Sequence, residues 1–213
     1  MRKYILGAIL LISVSCLSGQ RDTLGRYSPG FKFKDGIYLS FDDFRQNCPS
    51  VRLSEMYSED KRQMKEIDPE MDWFQIVNDS LIYISIDTVW GYSNRGMVYV
   101  RNLDFFDRLV MIGSLSHIIH REIYLDYNNG VYGNFGYTPV RREVQIEYFI
   151  DMETGEKLEF TQRNFERHFA YDPVLLNSFK EWNKRERKEG MFQFLHNYNQ
   201  ANPIYFPISR CRK

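Results

Sequence analysis

The sequence predicts an α+β fold: an antiparallel β-meander sheet with an N-terminal helix and three C-terminal helices packed against it. Three observations predict it. Residues 81–160 hold closely spaced runs of β-branched and aromatic residues, separated by short glycine and asparagine turns. That spacing is too tight for the crossovers parallel strands need. Residues 161–202 instead repeat apolar side chains at helical intervals behind capping residues. Strands followed by segregated helices are the α+β arrangement.

The elements follow in order. Gly36-Ile37-Tyr38-Leu39-Ser40 reads as a short strand. Ser40 then caps a helix with Asp43 at its third position, an acidic form of the capping box. Pro49 ends that helix, because the residue before a proline is pushed out of helical geometry. Phe41, Phe44 and Cys48 would share one buried face of it. Residues 54–72 are charge-rich, broken at Asp68-Pro69, and read as loop with some helix. Strands are expected over 81–86, 97–101, 109–112 and 115–125, with turns at Ser93-Asn94-Arg95-Gly96 and at Gly113. Residues 128–139 read as a long loop carrying Tyr132, Phe135 and Tyr137. Val144, Ile146, Tyr148 and Ile150 alternate with Glu143, Gln145 and Glu147, a half-buried strand. Glu153-Thr154-Gly155 turns it back toward a strand over 157–160. Thr161 caps the first late helix, which bears Phe165 and Phe169. Asp172 caps the second, with Pro173 at the first helical position, where its missing N–H costs nothing. Leu175, Phe179 and Trp182 lie on one face of it and Gly190 ends it. Met191, Leu195 and Tyr198 repeat that spacing in a third helix, ended before Pro203. The basic run Lys184-Arg185-Glu186-Arg187-Lys188 reads as a solvated helix end whose cations complement the dipole.

The N-terminus predicts destination. Arg2 and Lys3 precede an apolar stretch over 4–12, and residues 13–19 are small and polar. A membrane-spanning helix needs roughly 20 apolar residues, so this shorter run reads as a secretory signal peptide over 1–19. A cut after Gly19 starts the mature chain at Gln20. A rival reading takes Ser13-Val14-Ser15-Cys16 as a lipobox, with Ser13 where a large aliphatic residue is usual, and makes Cys16 a lipidated N-terminus. The expectation is export to the periplasm or cell envelope, with membrane contact only through such an anchor. Residues 20–34 read as an extended arm and 35–213 as one domain. Cys48 and Cys211 then share an oxidising compartment, where a disulfide is permitted; the rival reading makes Cys48 a buried small hydrophobe.

Composition narrows the partners. The 28 basic residues balance 28 acidic ones, without the basic excess a nucleic-acid binder shows. An apolar fraction of 43%, with 3 Trp, 15 Tyr and 16 Phe, excludes a disordered chain. Neutrality is a sum of opposed parts: residues 20–160 hold 16 basic and 23 acidic side chains, residues 161–213 hold 10 and 5.

Catalytic signatures are sparse. His117 and His120 sit three apart on a predicted strand, where alternation points them to opposite faces and away from a shared metal. His120 and Glu122 do share a face, which makes them the candidate acid/base pair. His168 and His196 stand alone on predicted helices. The chain has no HExxH, no GxSxG and no Gly-rich loop followed by Lys-Ser/Thr. Asp151 and Glu153 would suit a carboxylate pair, but the stretch reads first as a turn. Tyr132, Phe135 and Tyr137 are the candidate binding residues, since aromatic rings bring large contact area at low entropic cost.

Several phrases also carry a resemblance: Asp35-Gly36-Ile37-Tyr38-Leu39-Ser40-Phe41-Asp42-Asp43-Phe44, Val89-Trp90-Gly91-Tyr92, Ile150-Asp151 with Glu153-Thr154-Gly155, and Tyr198-Asn199 with Asn202-Pro203. The set resembles a group of exported proteins of Gram-negative bacteria without an assigned activity. The resemblance implies export and carries over no catalytic residue. The reading is a non-enzymatic envelope protein binding protein or glycan, without cofactor or metal. Its rivals are a hydrolase of an envelope polymer using His120 and Glu122, and a purely structural envelope protein.

Overall fold

The computed structural model describes residues 23–133, 136–209 and 211, with backbone alone over 128–133 and 136–138. It is a mixed sheet-and-helix fold, mostly sheet. The strands are β1 (Leu24–Arg26), β2 (Gly36–Tyr38), β3 (Val51–Arg52), β4 (Met56–Tyr57), β5 (Trp73–Val77), β6 (Ser80–Ile84), β7 (Gly91–Asn94), β8 (Met97–Asn102), β9 (Phe105–Met111), β10 (Leu115–Gly133), β11 (Gly136–Asp151), β12 (Lys157–Glu159) and β13 (Tyr205–Pro207). The helices are α1 (Phe41–Arg45), α2 (Gln162–His168), α3 (Pro173–Lys180) and α4 (Lys184–Ala201). An eight-stranded antiparallel sheet runs in the order β12-β11-β10-β9-β8-β7-β2-β3. Its first six members are a meander, as close strand spacing requires.

Strand alternation divides the interior. Tyr38, Val100, Leu109, Ile118 and Ile150 face one side of the sheet and pack with Phe33, Phe44 and Phe206. On the other side, Leu115 and Phe149 meet the helices through Phe165, Phe179 and Leu195. At the far end of that side, Ile37, Val51 and Tyr92 meet Trp73 and Met56 from the three-stranded sheet β4-β5-β6. The 20–34 segment is extended where described, and it is tied down. β1 pairs with β13, and Phe33 is buried.

Local chemistry explains where the chain departs from expectation. The helix after Ser40 has its capping box but is only five residues long. Asn47 takes a left-handed φ of 46°, which turns the chain before Cys48 and removes Cys48 from a helical face. The described residues of the 128–139 region belong to β10 and β11 and not to a loop, and a register shift between Asp126 and Val131 absorbs Asn128-Asn129-Gly130. Trp73–Val77 is a strand with no counterpart among the expected elements. The second late helix ends at Lys180, not at Gly190. Asn183 begins α4 with a full capping box to Glu186, and α4 runs through Gly190. A β-carbon at Gly190 would overlap the Trp182 ring, so this glycine admits a side chain rather than ending a helix. The basic run beginning at Lys184 therefore lies at the positive end of α4, where its cations oppose the dipole; Arg185 is offset by Glu189 at 2.8 Å and Arg187 donates to the Lys180 carbonyl at 3.4 Å.

Candidate functional site

A cleft of about 760 Å³ opens where the ends of β11, α2 and α4 meet β13 and α1. Asp151, the last residue of β11, builds one wall. Its Oδ1 accepts the backbone N–H of Glu153 at 2.7 Å and of Thr154 at 3.4 Å, fixing the turn. Gly155 completes that turn at φ +79°, against the Phe41 ring. Asp151 Oδ2 faces His168 Nε2 at 3.8 Å, an ion-pair distance longer than a hydrogen bond. His168 closes α2, and Tyr171 follows it at the cleft mouth, 70% exposed. Tyr198 and Asn202 come from the end of α4, where Asn202 Nδ2 donates to the Tyr198 carbonyl at 3.0 Å. Ser114 Oγ donates to the Asn202 carbonyl at 2.7 Å, joining that helix end to the start of β10. Arg45 lies over the Phe206 ring, 4.9 Å from its centre, and donates to the Tyr205 carbonyl at 3.4 Å.

Burial sets the charge states. Desolvation pushes the His168 imidazole below its ordinary value, against the pull of the Asp151 and Glu156 carboxylates, so it is neutral at pH 7. Desolvation, together with Tyr171 and the charges of Asp151 and Asp172, raises the Tyr198 phenol and keeps it protonated. Burial lowers the Arg45 guanidinium from its usual range, which still leaves it cationic. The cleft thus offers carboxylate acceptors, a guanidinium, three phenols and a neutral imidazole, with ring faces beside them. That set matches a neutral ligand rich in hydroxyls, which both donates and accepts hydrogen bonds.

The residues singled out from sequence fall elsewhere. His120 is 2% exposed, and its Nδ1 bonds Asp107 Oδ2 at 2.8 Å. Asn102 Nδ2 donates to the same Asp107 oxygen, and Lys157 Nζ donates to Asn102 Oδ1 at 2.8 Å. Glu122 is exposed, so the carboxylate on His120 is Asp107. His117 faces the opposite side of the sheet, as alternation demands: its Nε2 bonds Glu147 at 2.9 Å between the Phe160 and Phe192 rings. No group of three or more metal-ligating side chains occurs among the described residues. Tyr132 and Tyr137 are backbone register partners on β10 and β11, while Phe135 and Cys16 lie outside the described residues. Cys48 and Cys211 are both half-buried and stand at one corner, on either side of the Asn47 contacts. Among the described residues no helix is long and apolar enough to cross a membrane.

Sequence reasoning raised Asp151 and Glu153 as a carboxylate pair but set them aside as a turn, and passed over His168, Tyr171 and Tyr198 as a group. Their signal is weak because they come from three separate elements. Asp107 carried no local signal. β9 and β10 are antiparallel, and the register Ile118↔Leu109, continued along both strands, sets Asp107 opposite His120. No protein-family model, curated protein or solved structure matches the chain.

Proposed function

We propose that this protein is a non-enzymatic binding module of the bacterial envelope, and that its cleft takes a hydroxyl-rich ligand of the glycan class. One observation carries the reading. The cleft joins the Asp151 and Glu153 carboxylates, the Arg45 guanidinium and the tyrosines 171, 198 and 205 on one surface. Carboxylates accept from sugar hydroxyls, a guanidinium donates to them, and the apolar faces of pyranose rings stack on aromatic side chains. Export to the envelope is supported by the charged, apolar, then small-residue order of positions 1–19. Tyr132, Phe135 and Tyr137 are the competing candidates for contact with a protein partner.

The test is calorimetric titration of the protein with soluble peptidoglycan fragments and neutral oligosaccharides. Tyr171 and Glu153 are exposed, so Tyr171→Ala and Glu153→Gln leave the fold intact. Each is expected to weaken binding about tenfold or more if the cleft is the site. Binding unchanged in both folded variants removes the cleft from the reading, and loss confined to a Tyr132, Phe135, Tyr137 triple alanine variant transfers it to those aromatic residues. The hydrolase reading has one observation on its side, the carboxylate that Asp107 places on His120 at 2.8 Å. New reducing ends in the same titrations, abolished by His120→Ala, would decide for it.

A further inference from the structure

We infer that Cys48 and Cys211 form a disulfide that fastens the C-terminal segment to the turn after α1. In sequence the two are 163 positions apart. Contacts around Asn47 and Lys34 bring them together. Asn47 is buried and holds both sides: its Oδ1 accepts the Lys34 N–H at 3.0 Å, and its Nδ2 donates to the Pro207 carbonyl at 3.1 Å. Beyond that point Ile208 N–H donates to the Thr23 carbonyl at 2.9 Å, which carries the chain on toward Cys211. Lys34 Nζ then bonds the Ser209 carbonyl and stands 3.5 Å from Cys211 Sγ.

These anchors leave Cys211 Sγ 3.7 Å from the Asn47 carbonyl oxygen. That carbonyl belongs to the peptide bond leading into Cys48. A carbonyl oxygen lies roughly 3 Å from the next Cα, so Cys211 Sγ stands within roughly 7 Å of the Cys48 Cα, and a small adjustment of the C-terminal segment brings the two sulfurs to bonding geometry. Independently, both sulfurs act on one group. Burial chiefly raises the Tyr38 phenol, with further contributions from Cys211, Asp35 and Cys48. Tyr38 OH donates to the Lys34 carbonyl at 2.8 Å, placing it at the same corner.

The chemistry needs an oxidant of the disulfide class, such as oxidised glutathione or the disulfide form of a thiol oxidoreductase. One protein thiolate attacks the oxidant, forming a mixed disulfide and releasing one oxidant thiolate. The other protein thiolate attacks the protein sulfur of that mixed bond, closing Cys48–Cys211 and releasing the second oxidant thiolate. Two electrons pass to the oxidant, and the two protein protons end on its thiols. The bond would also brace β13, whose Tyr205 and Pro207 line the cleft, but it is independent of what the cleft binds.

The purified full chain is equilibrated with reduced and oxidised glutathione, alkylated, and digested without reductant. The expected result is a peptide pair joining Cys48 to Cys211 that separates on reduction. Recovery of these cysteines alkylated, as separate glutathione adducts, or joined to Cys16 overturns the inference. Reduction is also expected to lower Tm by roughly 10 °C, because the bridge closes nearly the whole chain. That fall should vanish in Cys48→Ser and Cys211→Ser. A reductant effect of equal size in both variants would contradict the assignment.

Discussion

Asn199 and Gly113 form one joint, and breaking it tests how the helices are held to the sheet. Asn199, in the last turns of α4, stands where a neighbouring strand would otherwise serve Leu115. Its Oδ1 accepts the Leu115 N–H at 2.9 Å and its Nδ2 donates to the Leu115 carbonyl at 2.7 Å. Leu115 is 1% exposed, so Asn199→Ala strands a buried donor and a buried acceptor. Each costs about 1–3 kcal/mol, and water entering the vacated space recovers part of it, giving a loss of ~3 kcal/mol. Gly113 lies directly beneath: a β-carbon there would overlap the Asn199 side-chain amide. Gly113→Ala is therefore expected to cost ~2 kcal/mol by overpacking or by displacing those hydrogen bonds. With Asn199 already truncated, the added methyl enters empty space. The double variant should then lose little more than Asn199→Ala alone, a coupling of ~2 kcal/mol between the sites. Urea unfolding followed by tryptophan fluorescence measures all four proteins, with similar slopes expected if only stability changes. Additive losses within ~0.5 kcal/mol, or a loss below ~1 kcal/mol for Asn199→Ala, would refute the reasoning.

Two further outcomes follow from the interior. Phe44 is fully buried, with its ring centre 4.8 Å from Trp90, 5.3 Å from Phe33 and 5.5 Å from Phe206. Phe44→Ala should cost about 3–5 kcal/mol in the same urea assay; a loss under ~2 kcal/mol would mean the ring cluster closes over the gap. Burial holds the His117 and His168 imidazoles below their ordinary value of 6.5, outweighing the carboxylates beside them. The unfolded chain therefore takes up those protons at higher pH than the folded one. Their contribution is complete above about pH 6.5 and is lost as the pH falls toward the folded values. Thermal unfolding across that range should show Tm falling with acidification, and less steeply in His117→Gln. An unchanged slope in that variant would contradict neutral burial of His117.

Much of the local structure was legible. Ser40, Thr161 and Asp172 each begin the helix expected of them, because a cap needs only its own side chain and an N–H two or three residues on. The antiparallel meander followed from strand spacing, and the opposed faces of His117 and His120 from alternation alone. Where expectation failed, a distant contact decided. Gly190 looked like a stop, yet Trp182 packs on it and α4 continues. Asn128-Asn129-Gly130 looked like a loop, yet the opposite strand keeps pairing past it.

The sequence by itself determined the mixed sheet-and-helix class of fold, the starts at Ser40, Thr161 and Asp172, and the facing of alternate strand residues. These depend on neighbours a few positions away. Tertiary structure decided which residues meet. The clearest instance is the partner of His120. The β9–β10 register shifts between His117↔Met111 and Ile118↔Leu109. Without that single-residue bulge, Arg108 rather than Asp107 would stand opposite His120, and a cation would replace the carboxylate. A bulge is fixed by packing across the sheet, so nothing local to His120 encodes it. The same holds for Asp151, His168 and Tyr198 in the cleft, and for Cys48 and Cys211 beside Asn47. In each, the functional contact is the sum of several registers and helix packings, and only the folded chain performs that sum.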